Sequence, residues 1–154
     1  MTFGHAILFA TLALASPAAV LAQGDMPDSA ELRAYTLTDA AIHKFEPAMK
    51  EINGLNQTHH DIDEINNEKN LDAMVAKLKT YPEMTAILAK NNLAPREFIK
   101  MFEILLGGMM IVEILDSGGQ KMDALPDYIS PANMAYIRTN HDAIKAATEA
   151  VGLH

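Results

Sequence analysis

The sequence predicts an all-α fold: a helical bundle of about five helices around one long apolar central helix, behind a cleaved signal peptide. Three observations predict it. No stretch alternates apolar and polar residues for long enough to make a strand. Apolar residues recur instead at spacings of three and four, as in Ile42, Phe45, Met49, Ile52 and Leu55, which is one face of a helix. From Pro95 to Asp116 the chain is apolar on nearly every side past Glu103, which suits a helix packed all round.

The N-terminus is read apart from the domain. Ala6 to Ala15 (AILFATLALA) form an apolar run, and Val20 and Ala22 hold the small-residue positions of a cleavage site before Gln23. Of the usual basic flank only the amino terminus and His5 are present. The run is shorter than the ~20 apolar residues of a bilayer span, and no cysteine follows it for a lipid anchor. A secreted or periplasmic protein is expected, cleaved at Ala22–Gln23. Removing 22 of 154 residues leaves 132, enough for one domain with a real core. Residues 23–37 read as a polar, flexible lead-in interrupted by Pro27, and 38–154 as a single helical domain.

Thr38 caps the first helix of that domain, with Leu37 and Ile42 as a hydrophobic staple and Pro47 as a kink. After Gly54 the periodicity lapses, then resumes at Leu71, Met74, Val75 and Leu78. Thr80-Tyr81-Pro82-Glu83 has the form of a capping box, and Asn91-Asn92 a stop. The central helix runs from Pro95 to about Asp116. Ser130-Pro131 starts a last helix whose inner side is Met134, Ile137, His141, Ile144 and Val151.

Composition excludes more than it assigns. The formal net charge is −8, so no basic patch exists to neutralise phosphates, and neither nucleic acid nor an anionic membrane is an expected partner. With no cysteine there is neither a disulfide nor thiolate chemistry. The chain has no Gly-x-Ser-x-Gly, no His-Glu-x-x-His and no glycine-rich phosphate loop.

The candidate metal-ligating residues are His59, His60, Asp61, Asp63 and Glu64, a histidine–acid stretch of the kind that binds divalent cations. Their spacing argues against it. Adjacent histidines on a helix point about 100° apart, and Ile65 and Asn66 stand where a calcium loop needs an oxygen ligand and a glycine. A solvated loop between helices is the expected structure. Nine methionines remain in the mature chain, and Met49, Met74, Met84, Met101 and Met134 fall on apolar faces as core filler. Gly107-Gly108 interrupts the best helix at about 1 kcal/mol each relative to alanine, which a close helix crossing or a kink would explain, with a ligand lying against bare backbone as the alternative.

Two stretches, NNLAPREFIKMFEILLGG and ISPANMAYIRTNHDAI, resemble the C-terminal half of an uncharacterised family of small, exported, helical bacterial proteins. That resemblance covers roughly Tyr81 to Ile144 and carries no catalytic residue over. A vaguer likeness is to the cytochrome b562 type, which would imply haem held between Met49 and His141. The expected function is therefore an exported, non-enzymatic domain without a cofactor, binding an unknown protein or a small apolar ligand. The alternative is a periplasmic metal- or haem-binding bundle. Export is directly measurable: N-terminal sequencing of the native protein should begin at Gln23, and a full-length chain in the cytosol would remove the signal-peptide reading.

Overall fold

The computed structural model describes residues 28–59, 61–117 and 125–149, so the expected signal peptide lies outside the described residues. The regular structure there is entirely helical. The helices are α1 (Ser29–Ala34), α2 (Asp39–His59), α3 (Asp61–Asn66), α4 (Leu71–Leu78), α5 (Pro82–Lys90), α6 (Pro95–Asp116), α7 (Pro131–Thr139) and α8 (His141–Glu149). Among the described residues eight helices replace the expected five, because three segments behave differently from their sequence pattern.

The first is the lead-in. Its residues 29–34 form α1, with Leu32 fully buried. α1 is held by groups far away in sequence. Arg96 at the start of α6 donates through Nε (2.7 Å) and a second nitrogen to the two carboxylate oxygens of Glu31. It also reaches Asp72 of α4. That guanidinium holds the Glu31 carboxyl down to about 2. Asp28 accepts from the Leu71 N–H at 2.6 Å, so α1 and α4 begin at a shared point.

The second is α2. Thr38 Oγ1 caps it, accepting from Ala41 N–H at 3.2 Å. Pro47 removes one intrahelical bond, yet the helix continues through it. Pro47 and His43 are both exposed, so the His43 carbonyl freed by the missing donor can turn to water. The helix also runs past Gly54 to His59, beyond the point where the apolar pattern lapses, and the additional helix α3 follows it in place of the expected loop.

The third is the C-terminal region, where one expected helix is two. Asn140 ends α7, its side-chain nitrogen donating to Tyr136 O at 2.9 Å, and α8 restarts at His141. Ser130 caps α7 as its sequence suggests, accepting from Asn133 N–H at 3.1 Å. The Thr80 capping box does not form. Thr80 Oγ1 turns back to donate to Lys77 O at 2.7 Å, and Tyr81 takes the N-cap position of α5.

α5 ends where predicted. Asn92 adopts φ 52°, Leu93 N–H bonds to Leu88 O at 3.0 Å, and Asn92 N–H to Ala89 O at 3.1 Å. This paired closure satisfies the last carbonyls and swings the chain into α6. α6 packs against α1, α4, α5, α7 and α8, and carries Phe98 stacked on Phe45 of α2 at 5.4 Å. A buried asparagine closes the other side. Asn133 of α7, 1% exposed, accepts from Leu37 N–H at 2.9 Å and donates to Tyr35 O at 2.7 Å.

The two central glycines of α6 are packing positions, and the helix is unbroken through them. A Cβ on Gly107 would collide with the Tyr128 hydroxyl, and one on Gly108 with Ile137 Cδ1. Gly54, in contrast, has nothing within 4 Å of the place a Cβ would take. The same substitution should therefore have opposite signs at two sites. Gly54→Ala should raise unfolding free energy by about 0.5–1 kcal/mol, and Gly108→Ala should lower it by about 1–3 kcal/mol through overpacking. Adding Ile137→Val removes the colliding atom and leaves contacts at 3.5 and 3.7 Å. Urea melts of the double mutant should recover most of the loss; additive losses would mean that Ile137 is not what excludes the methyl.

Candidate functional site

Two places combine exposure with unusual chemistry. The first is the outer face of α6. At 100° per residue, positions 103, 106, 107, 110 and 114 fall within one arc of about 100°. Glu103 starts the face and is half-buried, Leu106 and Met110 are 37% and 46% exposed, and Ile114 is half-buried. Gly107 lies under the half-buried ring of Tyr128, which borders the face on that side. This corrects the expectation that α6 is packed all round. Its neighbours cover most of its circumference and leave this strip open.

Glu103 has no hydrogen bond or ion pair among the described residues. Burial alone pushes its carboxyl above the ordinary value of 4.5. Tyr128 is pushed up as well, first by burial and then by the negative charge of Glu103. An apolar strip with an uncompensated carboxylate at one end can seat an apolar partner that brings a cation.

The second place is a cleft of about 520 Å³ where the end of α6 meets the α7–α8 joint. Asp116, Arg138 and Asp142 supply charges of both signs, and His141 sits on its wall. His141 is 20% exposed, its Nδ1 lies 3.2 Å from Asp142 Oδ1, and its Nε2 is buried with no hydrogen-bond partner.

The sequence-predicted metal-ligand candidates fall at the end of α2 and in α3. His59 ends α2, and Asp61, Asp63 and Glu64 lie in α3, so the expected loop shrinks to residues 67–70. His60 lies outside the described residues, as do the side chains of His59, Asp61 and Asp63. Glu64 is exposed and ties α3 to α4 and to the start of α5. Lys77 lies 2.8 Å from it, the Tyr81 hydroxyl donates to it at 2.8 Å, and its carboxyl is lowered chiefly by Lys77. Ile62 and Ile65 of α3 are buried. Among the described residues no three His, Cys, Asp or Glu side chains are grouped to hold a metal ion. Met49 is 2% exposed on α2, which packs mainly on α5, whereas His141 begins α8 on α6 and α7. Met74, Met84, Met101, Met109 and Met134 are buried too, which leaves Met110 as the exposed methionine among the described residues.

The chain matches no protein-family model, no curated protein and no solved structure. The candidate site therefore rests on its geometry.

Glu103 carries a pH signature. A carboxyl whose folded value is raised contributes stability that is full below its unfolded value and is lost as pH rises through the folded one. Glu103→Gln cannot ionise and should melt higher than wild type at pH 7. The gap should close below about pH 4.5, where both side chains are neutral. Equal melting at both pH values would place Glu103 in a solvated setting.

Proposed function

We propose that the mature chain is an exported, non-enzymatic binding domain that engages a protein partner through the outer face of α6. The observation that carries this reading is the pair Leu106 and Met110. Both are large apolar side chains, about one turn apart, exposed on the helix that otherwise supplies much of the core. Single exposed apolar residues are ordinary on any protein surface, but an apolar row flanked by acids is the form of a docking face. Methionine suits the role, because its flexible thioether adapts to a partner's contours. The absence of hydrolase and phosphate-loop motifs in the sequence supports binding over catalysis. The N-terminal apolar run with its small-residue cleavage site supports the exported compartment.

The test separates docking from folding. Leu106→Ser/Met110→Ser changes surface positions and should leave stability within about 0.5 kcal/mol of wild type. It should abolish partner capture in cross-linking from the native cell envelope. Capture unchanged in a folded double mutant would place the interaction elsewhere; a large loss of stability would show that the pair belongs to the core.

A further inference from the structure

We infer that the occupant of the α6 face is a cationic amphipathic helix of about three turns, with a lysine or arginine that pairs with Glu103; this rests on α6 being the docking face. Length sets the first constraint. Residues 103 to 114 span about 16 Å of helix axis, at about 1.5 Å per residue, which is three turns of a partner lying along it. Leu106, Met110 and Ile114 follow one another at intervals of four, forming a single ridge. Ridges of that kind pack into the grooves of a second helix, whose anchors recur at three and four.

Charge sets the second constraint. Glu103 stands at the N-terminal end of the ridge, half-buried and with no cation from the described residues. An ionised carboxylate in that position is left partly desolvated and uncompensated, which a buried charge-assisted hydrogen bond from a partner would relieve. The remaining charges of the molecule point the same way. The chain has net charge −8 and attracts a basic segment at long range. At the far end of the ridge the exposed acid Glu113 already has a cation, Lys145 at 3.6 Å, so it is Glu103 that calls for one.

A second copy of the chain fits poorly. Two α6 faces paired antiparallel would set Glu103 of one against Ile114 of the other and bring no cation to either carboxylate. Both copies would also carry the same net charge of −8. The isologous arrangement leaves each Glu103 buried more deeply and still unpaired.

Fluorescence anisotropy on the purified protein tests this with two synthetic helical peptides. They share one apolar face with leucines at i, i+4 and i+8; one carries lysine a turn before the first leucine, the other glutamate. The lysine peptide should bind wild type about ten-fold tighter than the glutamate peptide. Glu103→Gln should erase most of that preference, and Glu103→Lys should reverse it, with both variants confirmed as folded by a cooperative melt. Leu106→Ser/Met110→Ser should lose both peptides. If both peptides bind wild type equally and the double mutant loses them, the cationic partner is wrong while the docking face stands. If the double mutant still binds both, the face itself is wrong. A concentration-dependent dimer in sedimentation that the double mutant abolishes would make a second copy the occupant and overturn the inference.

Discussion

Ile137 lies directly on Gly108, and much of the architecture follows from that one approach. A methyl at position 108 would meet Ile137 Cδ1, so the fit of α7 on α6 as it stands uses a glycine there. With the two helices in contact, Asn133, one turn before Ile137, reaches the segment joining α1 to α2 and bonds it at both ends. Beyond the break at Asn140, His141 opens α8, and its Nε2 is buried. Tyr128 repeats the arrangement at Gly107, so the loop before α7 is fitted to the same helix. The cleft between α6 and the α7–α8 joint is a product of this seating. Next to Gly107 on the same helix, Leu106 and Met110 stay exposed.

Legibility of the fold follows the range of the interactions. Thr38, Pro82, Pro95 and Ser130 start helices as their local chemistry dictates, and Asn91-Asn92 stops one. These signals are complete within a few residues. α1 was not legible, because its partner Arg96 lies 65 residues away from Glu31. Asn133 gave no signal either. A lone asparagine in an amphipathic helix looks like a surface residue until the 35–37 backbone is placed against it. Thr80 shows the converse failure. Its capping box is correct as a pattern, but a nearer acceptor, the Lys77 carbonyl, wins its hydroxyl.

The candidate site was less legible than the fold, for a related reason. Past Glu103, α6 is apolar on almost all sides, so its composition does not distinguish the covered sides from the uncovered one. Only the positions of its neighbours decide which apolar residues face water. Glu103 was the available clue: an acid within an otherwise apolar helix either finds a cation or marks an edge. The histidine–acid stretch drew attention because its residue types resemble ligands. Within it, Ile62 and Ile65 carried the structural information, as the buried side of a short helix.

The grip of Asn133 falls on main-chain atoms, the Leu37 N–H and the Tyr35 carbonyl. Every amino acid offers that carbonyl, and all but proline offer that N–H. The joint between the first two helices is thus indifferent to the identity of the side chains it fastens. Residues 35–37 can drift under selection for their own packing without any compensating change at position 133. The tolerance runs one way only, since no other side chain of that length presents a donor and an acceptor on the same terminal amide.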